Sequence, residues 1–225
     1  MPVEVNILDD YRVYVVNGGY EYIRMFLRHG YEGAKGLEDC DIVCFTGGAD
    51  VHPSLYGEAI LPRTYSDFER DKRELAIYHR AVEAGIPMVG ICRGAQFLNV
   101  MNGGKLWQDV NNHSVYGTHP AQDYMYNKEV AVTSTHHQMM IPNEKTALTL
   151  AVASLSTVKH NDKGRINIEN NVNDDVEAVW YEDTKCLCFQ PHPEMGDDDS
   201  DCQTLFMDYM NDLIIPCFKT EKEIN

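Results

Sequence analysis

Basic residues are scarce in this sequence: 19 lysines and arginines stand against 35 aspartates and glutamates, for a formal charge of -16. Such a surface repels a phosphate backbone, which argues against nucleic acid as a partner. No apolar run reaches the length of a membrane span. The opening MPVEVNILDD lacks the basic start and apolar stretch of a secretion signal, so no membrane partner and a cytoplasmic location are expected. Seven cysteines occur without a CxxC or a zinc-like pairing, and the odd number fits reduced thiols better than a disulfide framework. The acidic run Asp197–Asp201 lacks the glycine and terminal glutamate of a calcium loop and is expected to be a solvated helix entry. There is no internal repeat. With 44% hydrophobic and 24% charged residues, neither disorder nor collagen-like structure fits. A chain of 225 residues can bury one sizeable core, so a single domain over residues 1–225 is expected.

Apolar runs bounded by turn residues predict strands at Val3–Leu8, Arg12–Val16, Asp41–Phe45 and Pro87–Ile91. Helical spacing predicts a helix over Tyr20–His29, with Tyr20, Ile23, Phe26 and Leu27 on one face and Gly30 as its stop. A second helix is predicted from Phe68 to Ala84, with Leu75, Ile77, Tyr78 and Ala81 inward. Alternation of strands and helices predicts an α/β fold: a mostly parallel central sheet with helices on both faces, its ligand at the C-terminal ends of the strands. Shorter strands, some antiparallel, are predicted at Glu129–Thr133, Thr149–Ala153, Val176–Tyr181 and Lys185–Phe189. Lys159–Asp175 reads as a turn or hairpin excursion, and Cys202–Phe218 as helical.

The chemistry concentrates in two places. In Ile86–Met101 an apolar strand runs into Gly90-Ile-Cys92-Arg-Gly94 and then a helix that stops at Gly103-Gly104. Glycines on either side of Cys92 permit a tight elbow that lifts a nucleophile above a sheet. A helix N-terminus there lowers a thiol's pKa and offers backbone N–H groups, first that of Arg93, to an oxyanion. The other six cysteines sit in apolar or mixed runs and read as small buried hydrophobes. The second place is Gln190-Pro-His192-Pro-Glu194, where each proline forces the preceding residue into an extended conformation. Side chains two apart on extended backbone point the same way, so His192 and Glu194 can serve as base and orienter. Taken singly, each motif has an innocent alternative: a buried strand-end thiol, and a surface histidine in a stiff loop.

Four segments together resemble the class I glutamine amidotransferases, in the branch of the γ-glutamyl and γ-glutamyl-GABA hydrolases. They are Phe45-Thr-Gly-Gly-Ala-Asp-Val-His-Pro-Ser-Leu-Tyr-Gly57, Gly90–Gly104, Ser134-Thr-His-His-Gln138 and Phe189–Glu194, in family order across most of the chain. The chain is also similar to stand-alone phage members. The resemblance implies a flavodoxin-like fold, Cys92 as nucleophile, His192 as general base and acid, and Glu194 as its orienter. It further implies oxyanion donors at Gly48 and Arg93, and substrate contacts from Gln96, Ser134 and His136. Thr133 stands where related sequences often carry Asn. No cofactor is implied and no metal: adjacent His136 and His137 cannot readily share one tetrahedral ion, and no carboxylate or cysteine lies at ligand spacing. Asp50 and His52 fall in a loop over the expected site, where such residues more often cap a turn.

The expected activity is hydrolysis of a γ-glutamyl amide through a glutamyl thioester on Cys92, with a small-molecule γ-glutamyl compound or glutamine as substrate. Two alternatives stand beside it: a glutaminase subunit that passes ammonia to a separate synthetase partner, and a catalytically silent binding protein on the same fold.

Overall fold

The computed structural model describes residues 11–154, 158–161, 164–167, 175–197 and 200–218. The strand expected at Val3–Leu8 lies outside them. The first half holds strands β1 (Arg12–Val16), β2 (Glu32–Gly33), β3 (Ile42–Phe45) and β4 (Met88–Ile91), with helices α1 (Tyr20–Arg28), α2 (Phe68–Glu83) and α3 (Arg93–Met101). After α3 come β5 (Lys105–Trp107), β6 (Asp109–Val110), β7 (Ser114–Asp123), β8 (Lys128–Thr135), β9 (Met139–Ile141) and β10 (Ala147–Ala153). The chain continues through β11 (Val158–Asn161), β12 (Gly164–Asn167), β13 (Val176–Tyr181) and β14 (Cys186–Phe189). Helix α4 (Asp201–Tyr209) then runs into a π-helical turn at Met210–Ile214.

The main sheet runs β2-β1-β3-β4-β14-β13-β10-β7-β8. Neighbours from β2 to β14 are parallel, and those from β14 to β8 antiparallel. The sheet is therefore mixed rather than mostly parallel. Parallel neighbours need a long crossover, usually a helix; from β5 to β14 the described chain has no α-helix between strands, and the strands of that stretch pair antiparallel with one another. The hairpin β11–β12 pairs with β6 in a separate small sheet, inside the segment read as an excursion.

Alternation along the strands divides the core. Ile42, Cys44, Val89, Ile91, Leu187 and Phe189 pack with Met25 and Phe26 of α1 and Leu205 and Phe206 of α4. Val43, Phe45, Met88, Cys186 and Cys188 pack with Tyr78 and Ala81 of α2 and Ala95, Phe97 and Leu98 of α3. Helices thus cover both faces. Helix α1 differs from its expected orientation: Tyr20 and Leu27 are exposed, whereas Met25 and Phe26 are buried. Gly30 at φ 83 and Gly85 at φ 68 follow α1 and α2, as their sequence positions imply.

Candidate active site

Strand β4 lies between β3 and β14, parallel to both, with Phe45 opposite Gly90 and Phe189 opposite Ile91. Parallel strands in register end at the same edge. The segments leaving them, Thr46-Gly47-Gly48, Cys92 and Gln190–Glu194, therefore meet above the sheet.

Cys92 caps the N-terminus of α3 at φ 52, ψ -111, a backbone region non-glycine residues rarely occupy. Its N–H donates to the Phe189 carbonyl at 2.9 Å. A Cβ on Gly90 would come within 2.4 Å of the Gly94 backbone, and one on Gly94 within 2.1 Å of the Phe45 carbonyl oxygen. The elbow thus depends on both glycines flanking the cysteine. Cys44, Cys186, Cys188 and Cys202 are buried, Cys40 and Cys217 half-buried, and all are free thiols. Burial pushes the Cys40 and Cys186 thiols up to about 11.

His192 Nδ1 and Glu194 Oε1 are 2.6 Å apart, and both residues are buried. The Cys92 thiol adjoins the ring and acts on it electrostatically. Burial opposes a charge on His192, yet the adjacent Cys92 and Glu194 outweigh it and raise its pKa to about 10. Thr133, the departure from the usual pattern, holds the His192 backbone: its hydroxyl oxygen accepts from His192 N–H at 2.6 Å and donates to the His192 carbonyl at 3.2 Å.

Gly48 has φ +133, and a Cβ there would meet Arg70 Nη1 at 2.3 Å; one on Gly47 would meet His192 Cε1 at 2.9 Å. This loop is fixed from below. Arg70 donates to the carbonyls of Thr46 and Gly47, each at 2.9 Å, and pairs through Nε with Glu74 at 2.7 Å. Arg93 turns its guanidinium into the same layer, pairing with Asp71 and Glu74 and donating to the Ala49 carbonyl at 3.1 Å. Asp71 also accepts from His52 N–H, and Asp50 from Tyr65 N–H. Beside the loop, the Tyr22 hydroxyl accepts from Gly47 N–H at 3.2 Å, and burial next to Glu194 raises its pKa.

The three expected substrate contacts are engaged inside the protein. Gln96 donates to the Gln138 carbonyl and to Gln190 Oε1, each at 3.1 Å. Ser134 donates to the His113 carbonyl at 2.7 Å. His136 is buried with its Nδ1 on the Gln138 carbonyl at 2.9 Å. Sequence reading passed over Tyr22, Arg70, Asp71 and Glu74. A signal existed for two of them: Arg70 and Glu74 continue the inward stripe of Tyr78 and Ala81 at helical spacing. Charged residues on that stripe indicated a buried ion-pair layer.

An α/β sheet with a cysteine elbow and a neighbouring histidine–carboxylate pair defines the glutamine amidotransferase-like class of proteins. The chain belongs to the Peptidase C26 family, whose model matches residues 15–194. It is 34% identical over 175 residues to the glutamine amidotransferase-like protein YvdE of Lactococcus lactis, covering 68% of this chain and 66% of the relative. It is 30% identical over 143 residues to the carbamoyl phosphate synthase small chain of Campylobacter jejuni, covering 62% of this chain and 33% of that one. The chain thus spans about two thirds of the first relative's length and a third of the second's. The fold matches the crystal structure of a glutamine amidotransferase from Thermotoga maritima with a TM-score of 0.58 at 15% identity, covering 94% of this chain and 92% of that one. Among the described residues no helix is long and apolar enough to cross a membrane.

Proposed function

We propose that the protein is a cysteine hydrolase of γ-glutamyl amides. The observation that carries this reading is the juxtaposition of the Cys92 thiol, the His192 imidazole and the Glu194 carboxylate at the N-terminus of α3. His192 takes the Cys92 proton, and the thiolate attacks the side-chain amide carbon of the substrate. The carbonyl π-bond electrons move onto oxygen, and the oxyanion rests on the backbone N–H groups of Gly48 and Arg93. As the C–N bond breaks, His192 returns its proton to the departing amine or ammonia and a glutamyl thioester remains. Water, losing a proton to His192, adds to the thioester carbon; the C–S bond breaks, the sulfur takes that proton back from His192, and glutamate is released with the thiol restored. Gln96, one helical turn beyond Cys92, stands over the glutamyl portion.

The test compares amine release from γ-glutamyl-GABA and γ-glutamyl-putrescine with ammonia release from glutamine, for the wild type and Cys92→Ala. Equal turnover by the two proteins would overturn the reading. A second reading, a glutaminase that passes ammonia to a synthetase, is favoured by the similarity to a synthase small chain. Glutaminase activity that appears only when a synthetase subunit is added would select it over the first.

A further inference from the structure

The second half of the sheet contains a cluster that this chemistry does not use. His136 and His137, adjacent in sequence, are separated by the fold. His137 turns to Asp50, with Nε2 and Oδ1 3.1 Å apart. His136 turns inward to meet His113 just before β7, His119 on β7 and Glu177 on β13. All four are buried, none more than 5% exposed. One ligand atom from each lies within 4.8 Å of the other three. Glu177 Oε1 is 3.2 Å from His119 Nε2, 3.4 Å from His113 Nδ1 and 3.7 Å from His136 Nε2.

The outer ring nitrogens settle the tautomers. His119 Nδ1 faces the Pro120 carbonyl at 3.1 Å, and His136 Nδ1 the Gln138 carbonyl at 2.9 Å. A carbonyl only accepts, so both outer nitrogens carry the proton and, in the neutral ring, both inner nitrogens present lone pairs. His113 Nε2 lies 3.0 Å from Asp175 Oδ2, and that carboxylate is paired with the buried Lys159 ammonium. Among the described residues the inner atoms, His113 Nδ1, His119 Nε2, His136 Nε2 and both Glu177 oxygens, have no hydrogen-bond partner. Lone pairs and a carboxylate converging on one buried point repel one another unless a proton or a metal cation lies between them, and no ring nitrogen here is aligned to donate to Glu177.

We propose that these four residues form a structural zinc site. Zinc binds histidine nitrogen at about 2.0–2.1 Å in a tetrahedron, whose ligand atoms are then about 3.3 Å apart. The distances from Glu177 Oε1 bracket that value. Calcium and magnesium require six or more oxygen-rich positions, which three imidazoles and one carboxylate do not provide. Each histidine also has the outer acceptor that orients a metal-bound imidazole, one carboxylate and two carbonyls. Four buried protein ligands close the coordination sphere, so the ion holds strands together rather than binding substrate. It joins β7, the exit of β8 and β13. The Gln138 carbonyl is shared by His136 and Gln96, and the Glu177 carbonyl accepts the Gln190 N–H, so the ion also braces the backbone behind His192.

The whole chain, purified without chelator from zinc-supplemented medium, is expected to carry about one equivalent of zinc by elemental mass spectrometry. X-ray absorption should show nitrogen and oxygen ligands and no sulfur. Chelator treatment should lower Tm by at least about 5 °C, with recovery on addition of Zn2+ but not of Mg2+ or Ca2+. His119→Gln should weaken zinc binding at least about 100-fold. Should that variant fail to fold, the wild-type measurements still decide. Zinc-free wild type whose Tm ignores added Zn2+, sulfur in the coordination sphere, or undiminished zinc binding by folded His119→Gln would each overturn the proposal.

Discussion

His192 carries a proton well above the range of an ordinary histidine because two acidic groups face it from one buried pocket. Its pKa is raised, so its contribution to stability is fully present below the unfolded value of about 6.5 and is lost as pH rises through about 10. The proposed chemistry follows the same titration. Above about pH 10 the free enzyme holds no imidazolium, so kcat/KM should fall with an apparent pKa near 10. Glu194→Gln removes one of the groups that raises this pKa, so a pH–rate profile of that variant should show the alkaline fall at lower pH. Cys92→Ala should lose at least about 1,000-fold in kcat. A different failure is expected at Gly94, where an added Cβ would collide with the Phe45 carbonyl. Denaturant titration of Gly94→Ala should show a loss of about 3 kcal/mol or non-folding, because neither backbone can give way cheaply.

At the scale of elements, α2 supports the candidate site from beneath. Its inner face carries Arg70, Asp71 and Glu74, all buried, and Glu74 answers two guanidiniums while accepting from Asn17 at 2.9 Å. Removing one partner of such a layer strands buried charge. Glu74→Ala should therefore cost about 3–5 kcal/mol in denaturant titration. Lys72→Ala, which breaks an exposed pair with Glu69 on the same helix, should cost less than about 0.5 kcal/mol. The bounds of α2 were legible within a residue because Asp67 caps its start and Gly85 follows its end. Its charged inner face was not read, although Arg70 and Glu74 share the stripe of Tyr78 and Ala81, because the partners that cover that face lie on distant segments. Strand β7 was missed for a different reason. Gly117 at φ 145 and Pro120 interrupt its pattern, and the pairing with β8 shifts register between Ser114 and Thr118.

Across the whole molecule, the central strands β3, β4, β14 and β13 are buried at every residue, while β2 at one edge is exposed. Hydrogen exchange should be slowest in those four and fast in β2, since backbone opening there exposes no core. The candidate triad sits at the end of the slow strands. Its geometry should therefore be lost with global rather than local unfolding.

The sequence by itself determined the local chemistry: the glycine-flanked elbow at Cys92, the proline-spaced His192 and Glu194, and the apolar strands that feed them. Those features depend on neighbours within a few residues, through steric limits on φ and ψ and the period of the strand. Only the tertiary structure decided that β4 and β14 are parallel neighbours, that half of the sheet runs antiparallel, and that Thr133 grips the His192 backbone. It alone gathered His113, His119, His136 and Glu177 around one point. Strand order and side-chain convergence depend on pairing between distant segments, and no local spacing encodes which strand will lie beside which.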